Sequence, residues 1–351
     1  MYILLAILIF GVLIFVHELG HFLTAKLFGV RVNEFSMCMG PAIVQKTVGE
    51  TTYSLRCLPV GGYCAMEGED GDSADPRAFT AKPAWQRAII LVAGAGMNFL
   101  VGLLILLVLY APAKQFVTTQ IAGFFDGCPL EGSDGLQAGD IIVSVDGERV
   151  YLNSDLTMLL ERGGDTVYDI VVRRSGKRVT LKNFRMEKQL YVLDGQETLK
   201  YGLNFAIADN SPLQTLKYTW NSAMNFARLV RLGLVDLFTG AVGLKDMSGP
   251  VGIVQVINET GASASSASEG VADVFYLGAF LAVNLALMNL LPFPALDGGR
   301  VFFLIVTALL ETILRRKIDP KYEGYIHAAG MVVLLGLIAV ITCKDIIGLF
   351  R

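Results

Sequence analysis

The chain has 351 residues, of which 53% are hydrophobic and only 17% charged, with 29 Lys and Arg against 32 Asp and Glu. A net charge of −3 without a basic stripe or an RNA-binding signature excludes nucleic acid as a partner, and the high apolar fraction points to several membrane spans in a lipid bilayer. The five cysteines are odd in number and unpaired in spacing, so they read as small buried hydrophobes rather than as a disulfide scaffold or a Cys-based zinc site.

The first apolar stretch carries no charge from residue 2 to 16 and then meets His17-Glu18-Leu19-Gly20-His21. On a helix His17 and His21 lie one turn apart, so both imidazoles leave the same face and can hold one metal ion, with Glu18 beside them as a proton acceptor. A satisfied pair of core histidines is the competing reading. The chain has only three histidines, two of them here, and a buried ionisable group at mid-bilayer costs about 3 kcal/mol or more, so metal binding is the better account. The stretch has no basic residue before it and no small-residue cleavage site after it, so it is expected to be a retained helix rather than a secretory signal.

Three further runs are long enough to cross a bilayer: Ala88 to Ala111, Val274 to Leu296 and Tyr325 to Cys343. Lys26, Arg31, Lys46, Arg56, Arg77, Lys82 and Arg87 fall between the first two spans, and Arg315, Arg316, Lys317 and Lys321 between the last two. The positive-inside rule makes those loops cytoplasmic, and puts both termini and residues 113–273 outside.

Between the second and third spans the character changes. Residues 117–205 hold short alternating strands, with hairpin turns expected at Asp146-Gly147 and at Ser175-Gly176, and a helix from Asn153 or Ser154 to Glu161, ended by Gly163-Gly164. The segment Gly135-Leu-Gln-Ala-Gly-Asp-Ile-Ile-Val-Ser-Val-Asp-Gly147 resembles the PDZ domain of bacterial envelope proteases, a type that binds extended peptides at a sheet edge. A spacer without a ligand is the alternative. Pro212 to Gly243 mixes apolar residues with Lys217, Arg228, Arg231 and Asp236 and reads as an amphipathic helix on the outer membrane surface. Gly261 to Gly270, rich in Ser and Ala, reads as a mobile linker. The expected division is a membrane core at 1–116, the PDZ domain at 117–205, a surface helix and linker at 206–273, and a second membrane core at 274–351.

Catalytic zinc takes three protein ligands and leaves one position open, so a third donor is needed. Asp297 is the strongest candidate, because two prolines and two glycines in Asn289-Leu-Leu-Pro-Phe-Pro-Ala-Leu-Asp-Gly-Gly299 break an apolar run, and such irregular backbone is tolerated at membrane depth only where it is buried or lines a cavity. His327 is the competitor. Glu34, Glu67, Glu69 and Asp70 are expected to be solvated loop charges.

Together the HExxH pattern at His17–His21, the segment Gly94-Ala-Gly-Met-Asn98, the PDZ-like insertion and the motif from Asn289 to Gly298 resemble the site-2 protease family of intramembrane zinc proteases, in particular its bacterial members with one PDZ domain. The resemblance covers nearly the whole chain. It implies a polytopic α-helical membrane protein of about four spans, with a membrane-associated β-hairpin loop and an inserted extracytoplasmic PDZ domain. It also implies Zn2+ held by His17, His21 and Asp297, Glu18 as general base, and Asn289, Asn98 and Pro292 along the substrate path. The loop from Tyr53 to Gly62, with Tyr53 and Leu55, would dip back as a β-hairpin and pair with an unwound substrate. Substrates would be single-span membrane proteins such as anti-sigma factors or remnant signal peptides, cut near the cytoplasmic face in regulated proteolysis, with an upstream site-1 protease as a further partner. Arg300 stands where some relatives carry histidine. A metal or ion transporter and an inactive PDZ membrane scaffold are the rival readings; neither needs a general base beside the histidine pair.

Overall fold

The computed structural model describes residues 1–69, 71, 73–162, 164, 166–193, 196–243, 247–314 and 321–349, with backbone only at 59–60, 193, 321–323 and 349. Asp70, Gly163 and the basic residues Arg315, Arg316 and Lys317 lie outside the described residues, as does the side chain of Lys321. The chain divides into two compact units, Met1–Ile105 with Leu229–Arg351, and Leu106–Arg228.

In the first unit, uncharged runs of Leu, Ile, Val and Ala make α1 (Tyr2–Leu27) and α2 (Ala84–Tyr110), joined by two long strands, β1 (Val32–Val48) and β2 (Thr51–Met66). β1 pairs antiparallel with β2 in two stretches, Val32–Met37 against Met66–Gly62 and Val44–Val48 against Leu55–Thr51. Phe35 lies opposite both Cys64 and Tyr53, so the Tyr53–Leu55 segment has β1 backbone on each side. It therefore has no free edge to offer a substrate strand; among the described residues the outer edges are Val44–Val48 and Gly62–Cys64, of which the second lies against Ile14 and Glu18 of α1.

The remaining helices of this unit are α5 (Pro250–Ser263), α6 (Ala267–Asn289), α7 (Asp297–Leu314) and α8 (Lys321–Leu349). Among the described residues, four helices are long and apolar enough to cross a membrane: Tyr2–Leu27, Ala84–Tyr110, Ala267–Asn289 and Gly324–Gly348. The third stops at Asn289 instead of running on to Leu296, because Pro292 and Pro294 cannot continue a helix. The stretch from Gly261 to Gly270 is not a mobile linker. Gly261 and Gly270 sit in α5 and α6 and are buried against Tyr2 of α1, where a methyl group would meet the tyrosine ring at 2.7 Å and its hydroxyl at 2.5 Å respectively. The serines between them cap α6: Ser266 Oγ, at the N-cap, accepts from the Glu269 amide at 3.2 Å, and Glu269 Oε2 accepts from the amide of the preceding Ser265 at 3.1 Å.

The second unit is built on an antiparallel sheet in the order β10–β3–β4–β6–β7, with β5 paired to β4. Its strands are β3 (Gln115–Phe124), β4 (Ile141–Val145), β5 (Glu148–Arg149), β6 (Val167–Arg174), β7 (Lys177–Arg185) and β10 (Leu203–Asp209), with β8 (Gln189–Leu193) and β9 (Gln196–Lys200) as a separate hairpin. Asp146-Gly147 and Ser175-Gly176 turn the chain as expected, each pair at positive φ, which suits the right-handed twist of the strands they join. Leu136, Ile142, Leu160, Ile170 and Met186 fill the core between the sheet and α3 (Asn153–Arg162). α4 (Pro212–Thr239) begins in this unit. Arg228, expected on a wet polar face, is buried, and its guanidinium lies 2.8 Å from the equally buried Asp155 carboxylate. Asp155 also accepts from the Tyr151 and Leu152 amides at 2.8 and 2.9 Å, which is why that charge tolerates burial.

Candidate active site

His17 and His21 share a face of α1, with ring centroids 4.8 Å apart and planes at 82°. His21 is buried, and its Nδ1 lies 2.8 Å from the carbonyl oxygen of Ile90 on α2. A carbonyl only accepts, so Nδ1 carries the proton and Nε2 keeps its lone pair for a metal. The two Nε2 atoms are 3.2 Å apart.

Room for both rings is made by glycine. A methyl group on Gly94 of α2 would overlap His21 Nε2 and come within 2.8 Å of His17 Cε1, while one on Gly20 of α1 would sit 2.5 Å from the Ala93 carbonyl oxygen. Asp297 opens α7 directly after the proline break. Gly298 and Gly299 allow the preceding loop to fold over the first turn of that helix, since side chains there would run into backbone of Leu290 and Phe293. Asp297 Oδ2 ends 3.1 Å from His17 Nε2 and 3.4 Å from His21 Nε2, and is buried with no hydrogen-bond partner among the described residues.

Zinc ligands at about 2.0–2.1 Å in tetrahedral geometry stand about 3.3–3.4 Å apart along each edge. The three separations here are 3.1, 3.2 and 3.4 Å, so two imidazole nitrogens and one carboxylate oxygen form one face of such a tetrahedron and leave the fourth vertex open. Glu18, next to His17, is half-buried and faces the hairpin, its Cγ 3.3 Å from where a Cβ on Gly62 would stand.

The other expected site residues divide. Asn98 of α2, 1% exposed, and Asn289, the last residue of α6, bring their amides to 3.5 and 3.4 Å from His17 Nδ1, behind the ring rather than beside the open vertex. Among the described residues Asn98 Oδ1 is buried without a partner, and rotation of the amide would offer it to an Nδ1 proton. Pro292 is exposed at the bend after α6. Tyr53 packs edge-on to Phe22 and Phe35 at 6.0 and 6.3 Å, and Leu55 is exposed on the same inner segment of the hairpin.

The contacts of three residues escaped the sequence reading. His327 of α8 is no member of the donor cluster; its Nδ1 accepts from the Ala295 amide at 3.1 Å, and its ring stands edge-on to Phe303. Ala295 has φ +83, which only a well-held non-glycine residue keeps, and it lies two residues before Asp297. Glu69, expected to be solvated, accepts from Arg300 Nη1 at 2.5 Å and so ties the loop after β2 to the first turn of α7. Glu34 is likewise paired, with Arg56 at 2.7 Å and with Ser54; burial pushes its carboxyl up, but these hydrogen bonds outweigh that and hold it below the usual range.

Residues 5–337 match the sequence model of peptidase family M50. The chain belongs to peptidase family M50. It is 36% identical over 99% of both chains to a Clostridium perfringens protein assigned by name to the zinc metalloproteases. It is 27% identical over 98% of both chains to the regulator of sigma-W protease RasP of Bacillus subtilis, and 28% identical over the same shares to zinc metalloprotease RasP of Shouchella clausii. This M50 member is therefore a zinc metalloprotease of the site-2 protease type, a multi-pass membrane protein that uses Zn2+, which answers the transporter and scaffold alternatives.

Proposed function

We propose that this M50 chain cuts single-span membrane proteins within the bilayer, near the cytoplasmic face, in regulated proteolysis, on substrates such as anti-sigma factors already trimmed by an upstream protease. His17, His21 and Asp297 hold the zinc, and Glu18 is the general base. The observation that carries this reading is the triangle of donor atoms at 3.1–3.4 Å with Glu18 beside it on the hairpin side. Zinc held there would supply Lewis-acid polarisation and an acidified water. Glu18 is placed to take a proton from the attacking water and to pass it to the leaving amine. The substrate backbone, unwound, adds to the open edge at Gly62–Cys64, where main-chain hydrogen bonds hold it extended. Asn98 and Asn289 orient His17 from behind, a task distinct from lining the substrate path.

The basic loops support cytoplasmic placement of the hairpin. His17–His21 then sits about 12 Å from the cytoplasmic end of α1 at 1.5 Å per residue, which sets the depth of cleavage. The unit Leu106–Arg228 would lie outside as a PDZ-like module that sorts substrates. The test is Glu18→Gln in the full chain. Zinc content stays at the wild-type level and proteolysis of a reconstituted single-span substrate falls at least about 1,000-fold, toward the loss of both base and acid roles. Asp297→Ala loses zinc. Wild-type turnover by Glu18→Gln, or full zinc in Asp297→Ala, overturns the assignment.

A further inference from the structure

Beside Glu18 a cleft of about 190 Å3 opens between α1 and the hairpin. Ile7, Gly11, Ile14 and Glu18 form one stripe of its α1 wall, and Ser36–Cys38 with Gly61–Gly62 form the other. The lining is apolar except at the end where Glu18 stands. Ser36 adds little polarity, because its hydroxyl donates to the carbonyl oxygens of Met37 and Cys38 at 3.4 and 3.3 Å. A cavity of about 150 Å3 is enough for a benzene ring, so this one takes a single large side chain and not two.

We propose that the cleft is a specificity pocket for one large apolar side chain, of leucine, methionine or phenylalanine size, from a substrate residue flanking the scissile bond. The inference rests on the protease reading above and extends it to the sequence that is cut. A strand added at Gly62–Cys64 turns alternate side chains toward α1, and the cleft is the space that receives them there. Its Glu18 end puts the occupant next to the bond being cut. A lipid or detergent chain is the rival occupant, and the cysteine-protection measurement below separates the two.

Gly11 provides the test, since it lines the cleft and a Cβ there meets nothing within 4 Å, so a side chain can be introduced at this position. Full-length wild type and Gly11→Leu are compared on single-span peptides carrying Leu, Phe or Ala at each of the three positions on either side of the mapped cut. Wild type prefers Leu or Phe over Ala by about tenfold or more at one flanking position, and Gly11→Leu reverses that preference. A second measurement does not depend on cleavage. Cys38 lies in the cleft wall, and its alkylation by N-ethylmaleimide, read by peptide mass spectrometry in the Glu18→Gln background, is slowed by the Leu peptide and not by the Ala peptide. An unchanged profile in Gly11→Leu, with wild type cutting normally, overturns the pocket and leaves the protease reading standing. If wild type cuts nothing, the protease reading fails and Cys38 protection alone decides. Equal protection by both peptides, or protection by phospholipid without peptide, makes the cleft a lipid seat and overturns the proposal.

Discussion

Gly94→Ala sets two effects of opposite sign against each other. An exposed Gly to Ala change inside a helix stabilises by up to about 1 kcal/mol, so α2 by itself gains. The added methyl, however, would overlap His21 Nε2 and lie 2.8 Å from Cε1 of each histidine. Ordinary carbon contacts are at about 3.5–4.0 Å, so the rings or the helices must give by about 1 Å. Overpacking of that kind costs about 1–3 kcal/mol, enough to cancel the helix gain, and metal sites tolerate only about 0.2 Å in each bond. Zinc affinity should therefore fall at least about 10- to 100-fold, the range seen when ligands lose their support, with activity falling alongside. Gly96→Ala is the control, because a methyl there meets nothing within 4 Å on the same helix, and it should leave zinc and activity unchanged. Competition with a chromophoric chelator and single-turnover cleavage measure both variants. Wild-type zinc affinity in Gly94→Ala would refute the steric argument and with it the view that this glycine makes room for the site.

Replacing His327 by Leu removes the acceptor for the Ala295 amide and should lower zinc affinity or activity about 10- to 100-fold, while Asn, which keeps an acceptor, restores most of it; equal behaviour of the two would show that the strap on Ala295 does not matter. Arg228→Met leaves Asp155 buried and unpaired, which should destabilise the unit Leu106–Arg228 by about 3–5 kcal/mol, seen as faster limited proteolysis within it in the full chain; wild-type resistance would mean the pair is dispensable. For topology, Cys128 is a poor reporter because it is buried with its thiol donating to the Tyr201 carbonyl. An impermeant maleimide on intact cells should label Ser133→Cys, on an exposed turn, and spare Cys57; the opposite pattern inverts the orientation.

The sequence by itself determined what depends on near neighbours in the chain. Four apolar runs, the one-turn spacing of His17 and His21, the proline break before Asp297, and the Asp146-Gly147 and Ser175-Gly176 turns are all local patterns of length, period or backbone preference, and each is visible in a few consecutive residues. Tertiary structure decided what depends on distant residues meeting. Gly94 and Gly96 look alike in the chain, yet only Gly94 faces imidazoles from another helix. A Ser- and Ala-rich stretch reads as a linker until Tyr2, far away in sequence, is found packed on both of its glycines. Arg228 and Glu69 read as solvated charges until Asp155 and Arg300 pair with them, and Tyr53 reads as a substrate edge until β1 covers both its sides. Composition reports how much apolar surface a segment carries; which atoms cover that surface, and which lone pairs converge on one point, is set by the packing of helices remote from one another in the chain.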